Sequence, residues 1–455
     1  MTDERFRDAW ARLVASWSSY DAGSAEAEVL LRRALDEGLH PVAGGLAASD
    51  GVGVGAGRRC EVALVRLAGA VDEDGYLEHN PPQAERGAEP VDHFCRRGWR
   101  RLRNPSLDFD VWWYVAEYLD PADDSETAVN PLVHYLVDGR FRGLLPLPEA
   151  TPRPATVLGR PPRRVCLFAL YDKDGLVDDY VVDYVTELAR FADVHVLADC
   201  DLQPGQLERL DGVVRGSWTK RHGAHDFGSW SLLARELVGW SVLDEYDEVL
   251  LANDSCWLLR PLDEVFARMD RQACDFWGLQ VTARLFEPEP GEPQSLPLDE
   301  VKRHWIPRSV FRSRESAHLG SYFLALRRPV LDDPGFRRRL DSVVPQLDHD
   351  LLVQKYEYGT TRYLVGQGFD FSTWLPDLRP NHPLYGPGAF DLLAEGFPVF
   401  KRRFLVANPY FTPGLAQWRE RMLAAVPDAP VEMFERNLLR VADPDQLARS
   451  FAAGG

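Results

Sequence analysis

Five polar stretches of the chain hold residue types that can bind and move charge. In VLLANDSC, Val249 to Cys256, an apolar run stops on Asn253, Asp254 and Ser255. A carboxylate at the carboxyl end of a buried strand can hold Mg2+ or Mn2+, hard ions that take oxygen ligands and are shared with substrate phosphates. The competing account is a turn, because Asn, Asp and Ser side chains fold back on the local backbone. HDFGSW, His225 to Trp230, joins a polar loop to a helix start that Asp226 or Ser229 could cap. KYEYGTTRYLVGQGF puts Glu357 at the start of a predicted helix, with Tyr356, Tyr363 and Leu364 toward the core and Gly366 and Gly368 at its end. The helix dipole alone favours an acid in that first turn. PVFKRRF supplies Lys401, Arg402 and Arg403, of which Lys401 is expected to point inward, where it could hold a phosphate. His318, in AHLGSYF, precedes an apolar strand and is either a ligand contact or a satisfied core histidine.

These residues need elements to hold them. RVCLFALY, Arg164 to Tyr171, is a continuous apolar run of buried-strand type. Tyr180, Val181, Tyr184, Val185, Leu188 and Phe191 then recur at helical spacing, and DVHVLAD is a second strand. Trp230, Leu233, Leu237 and Trp240 give another helix, and EVLLA, CDFWGLQV and SYFLALRR give further strands. Such alternation predicts an α/β fold, a mostly parallel sheet with helices on both faces and ligands at the carboxyl ends of its strands.

Upstream, Leu144 to Arg164 carries six prolines and reads as a semi-rigid linker. It sets off an all-α region, residues 1–160, from a catalytic domain, 161–412, and a helical segment, 413–455. EPVDHFCRRGW repeats as NPLVHYLVDGR 41 residues later, pairing Pro90 with Pro131, His93 with His134, Phe94 with Tyr135 and Gly98 with Gly139. A period of this size marks small helical units, each closed here by a glycine suited to a carboxyl cap. The two histidines read as packing or capping residues. Amphipathic helices are expected over 3–17 and 25–37, and the Gly- and Ala-rich stretch 44–57 reads as a flexible loop.

A chain of 455 residues predicts two domains, and 45% hydrophobic with 27% charged residues is a globular composition. The formal charge of -18 argues against nucleic-acid binding, which needs clustered Lys and Arg on a basic face. No apolar run approaches the roughly 20 residues that span a bilayer, and MTDERFRDAW lacks the pattern of a signal peptide, so cytoplasmic residence is expected. The six cysteines form no Cys-x-x-Cys pair and read as reduced packing residues.

The stretches VCLFALYDKDGLVDDYVVDYV, HDFGSW, YDEVLLANDSCWLLRPLDEVFARM, CDFWGL, AHLGSYFLALRR and KYEYGTTRYLVGQGF, in that order, resemble the rhamnan synthesis protein F family of glycosyltransferases. The resemblance covers about residues 164 to 405. It implies a GT-A-like fold that moves a sugar, rhamnose from dTDP-rhamnose, onto a growing cell-surface glycan, free or lipid-linked, at the inner face of the membrane. Asn253-Asp254-Ser255 then replaces the Asp-x-Asp metal motif, with Asp254 and Ser255 toward Mg2+ or Mn2+. Asn253, Asp226, Gly228, Ser229, His318 and Lys401 are assigned to the nucleotide sugar. Glu357 becomes the general base, followed by the aromatic Phe369, with Asp275 and Glu315 as rivals. Two other readings stay open. A nucleotidyltransferase would want a Gly-rich phosphate loop after the first strand, where YDKDGL has one Gly and two acids. A catalytically silent scaffold would use the repeat region as its working part.

Overall fold

Strands that are apolar along their whole length must be covered on both faces, and this requirement organises the larger part of the molecule. The computed structural model describes residues 2–21, 23–47, 53–79, 87, 89–149, 153–283, 295–305, 317–346, 348–380 and 382–452. In it β1 (Arg164–Leu170), β2 (Asp193–Ala198), β3 (Gly216–Thr219), β4 (Glu248–Asn253), β5 (Phe276–Gly278), β6 (Phe323–Arg327) and β7 (Phe371–Thr373) form one sheet, ordered β7-β5-β6-β4-β1-β2-β3. Every residue of β1 and β4 is buried. The pairs β1/β2, β1/β4, β2/β3 and β5/β7 are parallel, and β6 runs antiparallel to both neighbours. This is the mostly parallel α/β class that the sequence predicted, preceded by an all-helical region.

The chain divides into two compact units, one holding residues 1–150 with 353–355 and the other most of residues 151–455. In the second, the helices Trp418–Ala425, Val431–Val441 and Pro444–Ala452 share the core of the sheet. Trp257 stacks on Phe434 at 4.7 Å between ring centroids and lies against Trp418. All six thiols are buried and unpaired with one another.

In the amino-terminal unit the expected loop over 44–57 is displaced by helix at its end. Val54 to Gly57 already belong to the helix Val54–Ala68, which is held by the buried Cys60, Leu64 and Val65 and starts from an extended Gly53; 48–52 lie outside the described residues. The repeat glycines also work differently from caps. Neither has positive φ. A Cβ on Gly98 would stand 2.0 Å from the Tyr76 hydroxyl, and one on Gly139 2.2 Å from that of Tyr114. Those hydroxyls bond the repeat histidines, Tyr76 to His93 Nδ1 at 3.0 Å and Tyr114 to His134 Nδ1 at 2.8 Å. Each unit thus encloses a Tyr-His pair that only glycine leaves room for, and both histidines pack as structural residues.

The amino-terminal edge of the sheet, where β1 and β4 begin, is closed by a buried ion network. Glu248 accepts from Arg164 Nε at 2.6 Å, from Trp277 Nε1 at 2.9 Å and from Arg327 Nε at 3.2 Å. Arg327, fully buried, donates its other N–H groups to the carbonyls of Met269, Gln272, Cys274 and Thr156. Asp275 belongs to this edge. Its carboxylate accepts from Thr156 Oγ1 at 2.6 Å, Thr156 N at 3.2 Å and Asp370 N at 2.9 Å. A carboxylate placed before β5 and saturated by local donors is a structural clamp, so the structure draws Asp275 away from the catalytic role expected for it.

Candidate active site

At the opposite edge the parallel strands end together. Asn253 closes β4 in register with Ala169 of β1, and the Asp254 amide donates to the Ala169 carbonyl at 3.2 Å. Because β6 is antiparallel, with Phe323 opposite Ala252, the residues just before it, Ser321 and Tyr322, arrive at this same edge. The helix His225–Leu232 is tied to β4 by Trp230 Nε1, which donates to the Ala252 carbonyl at 3.2 Å, and this anchors Asp226 there. A short antiparallel ribbon of Cys256–Leu258 with Val399–Lys401 sets Cys256 opposite Lys401 and delivers Lys401 and Arg402 beside Ser255. Glu357 comes from a helical run in which His349–Leu352, a π-helical Val353–Tyr358 and Gly359–Gly366 follow without a gap. The run therefore begins eight residues before Glu357, not at it, and the first-turn dipole cannot account for this acid. A π turn inside an α-helix is a recurrent feature of functional sites.

These elements bring together Asp226, Asn253, Ser255, Ser321, Glu357 and Lys401. Asn253 Nδ2 donates to Asp226 Oδ2 at 2.8 Å, the Ser321 hydroxyl reaches the same oxygen at 3.5 Å, and the Ser321 amide donates to Glu357 Oε1 at 2.9 Å. Ser321 thus stands between two half-buried carboxylates. Burial raises the Asp226 carboxyl above its usual range, and the Glu357 charge adds to this. Burial acts on Glu357 in the same sense, but His318, the Ser321 amide and Lys401 outweigh it and hold this carboxylate below the usual range. Partial burial disfavours the charge of Lys401, yet the surrounding Tyr385, Cys256, Glu357 and Asp226 keep its ammonium above the ordinary value. The arrangement is one carboxylate held below the usual range, one carboxyl raised above it, and a fixed cation between them and the strand ends.

His318 lies within this field, its ring centroid 4.2 Å from that of Tyr358. Gly228 and Ser229 do not join the group. The Gly228 amide donates to the Ala224 carbonyl, and a Cβ there would meet the His222 ring at 2.7 Å. Ser229 Oγ is bonded to His222 Nε2 at 3.0 Å, and the neighbouring His222 and Gly223 amides donate to Asp199. Both residues shape a loop beside the edge. Glu315 lies outside the described residues.

The sequence reading missed several members. Arg402 was expected at the surface, but its guanidinium turns inward to Asp254 at 3.0 Å and over the Tyr180 ring at 5.3 Å. His382 and Tyr385, in the RPNHPLYGPG stretch, enter the same field. Burial pushes His382 down to about 3, with His318 and Lys401 adding to the effect, and its Nδ1 is buried with no partner among the described residues. Tyr322 OH and both amide atoms of Gln280, just beyond β5, share that condition. The one signal for His382 was its company, two polar-ring residues among five prolines and glycines where a loop must be rigid. No spacing pattern points to Gln280 or Tyr322.

The donor set meant for a divalent ion is already engaged. Asn253 Oδ1 accepts from the Ser255 amide at 3.1 Å and from the Ser255 hydroxyl. Asp254 Oδ2 accepts from Arg402 Nη2 and from Tyr180 OH at 3.3 Å. Ser255 Oγ accepts from Lys401 Nζ at 2.7 Å. Among the described residues no three His, Cys, Asp or Glu side chains group as metal ligands. The residues present do not fit Mg2+ or Mn2+.

At this edge the sheet gathers two carboxylates and a lysine. The chain belongs to the rhamnan synthesis protein F family, whose model matches residues 194–451, and its work is sugar transfer in polysaccharide synthesis. No curated protein matches it. Among solved structures, the mannosyltransferase Ktr4p from S. cerevisiae in complex with GDP is 10% identical with a TM-score of 0.30, over 49% of this chain and 72% of that one. Core-mannan synthase A (CmsA/Ktr4) from Aspergillus fumigatus, in its Mn/GDP form, is 10% identical with a TM-score of 0.27, over 50% of this chain and 78% of that one.

Proposed function

We propose that this chain transfers rhamnose from dTDP-rhamnose to a hydroxyl of a growing cell-surface glycan, free or lipid-linked. The observation that carries this reading is the meeting of Asp226 and Glu357 on Ser321, with Lys401 beside them, at the carboxyl edge of the sheet. Glu357, held as a carboxylate, takes the proton of the acceptor hydroxyl as its oxygen bonds the anomeric carbon. The bond from that carbon to the diphosphate breaks at the same time, and the nucleoside diphosphate leaves with the electron pair. Lys401 offsets the charge that develops on it. Asp226 and Asn253 orient the donor, and His318 lies on the acceptor or donor side of the same field. Family membership supports the rhamnose assignment, and the net charge of -18 agrees with a partner that is not a nucleic acid.

The protein is proposed to work in the cytoplasm at the inner membrane face, where a lipid-linked acceptor is presented. Among the described residues no helix is long and apolar enough to cross a membrane. Residues 1–160 are proposed as a helical module separate from the transferase, with 413–455 as a carboxyl-terminal helical segment. The test is transfer from dTDP-rhamnose, UDP-glucose and GDP-mannose to a rhamnan oligosaccharide, read by mass spectrometry. A deoxyhexose increment from dTDP-rhamnose alone is expected, and a hexose increment from either other donor would replace the rhamnose assignment.

A further inference from the structure

The residues that stand where a metal motif is expected are bonded to cations of the chain itself. Lys401 Nζ is 2.7 Å from Ser255 Oγ, and Arg402 Nη2 is 3.0 Å from Asp254 Oδ2. Both come from one strand end, pinned by the pairing of Lys401 with Cys256 and by the Arg402 amide, which donates to the Ser255 carbonyl at 3.3 Å. Together they carry two positive charges, the charge of the ion they displace. Arg402 is further fixed by the Tyr180 ring and by Asn437 Oδ1 at 3.5 Å. Lys401 has three N–H donors and, among the described residues, one hydrogen-bond acceptor, Ser255 Oγ. The remaining donors are free for an anion at the mouth of the strands. Lys401 also passes 4.9 Å from the Tyr322 ring, whose hydroxyl is buried without a partner among the described residues.

Three alternatives were weaker. Arg440 binds Asp172, Asp174 and Asp178 but is used up in doing so. The cavity of about 340 Å³ between Arg402, Arg403, Asn437 and Gln446 lies behind the same cations. The cavity of about 220 Å³ in the helical unit, lined by Trp10, Trp99 and Glu61, has its acid already bonded to Asn130 at 3.2 Å.

Resting on the transferase reading, we infer that the chain binds the diphosphate of its donor without a divalent ion, with Lys401 as the contacting cation and Arg402 as the residue that locks Asp254 out of metal coordination. An ammonium or guanidinium on a phosphate is a charge-assisted hydrogen bond and supplies the neutralisation that a metal otherwise gives. The donor set explains why Asn and Ser flank Asp254: each neutral side chain takes part in a closed hydrogen-bond chain from Asp226 through Asn253 and Ser255 to Lys401.

The experiment is calorimetric titration of dTDP, UDP and GDP into the full chain, once in EDTA and once in Mn2+. The free Mn2+ signal is followed in parallel by electron paramagnetic resonance. The best-bound nucleotide is expected to show affinities within about twofold in the two buffers. Lys401→Met should weaken it by about 10- to 100-fold in both, the worth of a lost hydrogen bond to a charged group, while Lys401→Arg keeps most of the affinity. Affinity that collapses in EDTA and returns with Mn2+ would overturn the inference and leave the transferase reading standing. So would protein-dependent loss of the free Mn2+ signal. Absence of nucleotide binding in both buffers would overturn both. Should Lys401→Met fail to fold by circular dichroism, the wild-type comparison still decides the metal question. Arg402→Gln tests the lock separately: Mn2+ uptake above that of the wild type supports it, and uptake no greater than the wild type removes it.

Discussion

Both edges of the main sheet bury charge, and they do so in opposite ways. At the amino-terminal edge Glu248, Arg164 and Arg327 bond one another and neighbouring carbonyls until the polar groups of Arg327 are fully engaged, and Asp275 is saturated by Thr156 and the Asp370 amide. At the carboxyl edge Asp226 and Glu357 face each other across Ser321, and Tyr322, Gln280 and His382 keep buried polar atoms with no partner among the described residues. A saturated network costs little to keep and costs much to break, whereas an unsaturated one holds interaction energy in reserve for something that arrives. Burial alone does not tell a site from a clamp; the state of the hydrogen bonds does.

The sharpest way to test this contrast is Glu357→Gln. Turnover should fall by about 10²- to 10⁴-fold while nucleotide affinity and melting temperature stay near wild type, measured by coupled assay, calorimetry and thermal scan. Since Glu357 is held below the usual carboxylate range, the wild-type rate should fall only as pH drops through that depressed value, and the amide variant should lack this acid limb. A variant turning over at more than half the wild-type rate would move the base to another residue. Next in size, Arg327→Met should destabilise by about 3–5 kcal/mol, because Glu248 loses one of its two buried cations and four carbonyls lose their donor. Chemical denaturation reads this directly.

Asp275→Asn should cost about 1–3 kcal/mol, since an amide cannot accept from both Thr156 and Asp370 in the same geometry. Turnover per folded molecule should be unchanged, and a loss matching that of Glu357→Gln would return Asp275 to the site. The smallest effect carries the opposite sign. Asp226→Asn should raise stability by about 0.5–2 kcal/mol at neutral pH while lowering turnover, the trade expected of a strained functional group. The Asp226 carboxyl titrates above its unfolded value, so its contribution is fully favourable below the unfolded pKa and is lost as pH rises through the folded one. The gain on substitution should therefore be larger at pH 8 than at pH 5, and a gain that shrinks with pH would contradict the assignment.

Much of this was legible in the sequence where a residue and its partners lie close together or repeat with a period. The continuous runs at Arg164 and Glu248 gave β1 and β4, and the break at Asn253 marked the edge where the polar cluster forms. Lys401 could be singled out because a phosphate needs a cation. What could not be read depended on direction and distance. Nothing in SYFLALRR says that β6 runs against its neighbours, and on that direction depends the arrival of Ser321 between the carboxylates. Asp275 resembled Asp254 locally, an acid beside an apolar run, but it precedes its strand where Asp254 follows one, and so it faces the other edge. Gly98 and Gly139 looked like caps because the tyrosines that need their space lie 22 and 25 residues away.

The antiparallel ribbon that brings Lys401 to Ser255 joins residues 146 apart. On a chain synthesised from its amino terminus, β1 to β4 exist long before that strand is made, and their acidic edge at Asp172, Asp226 and Asp254 waits without Lys401, Arg402 and Arg440. Non-local pairings close late because chain entropy must be lost before the contacts form. The cations of the proposed anion site are therefore added after its acidic edge is made, and until Lys401 and Arg402 emerge the nascent sheet carries an edge that would repel the ligand proposed for it.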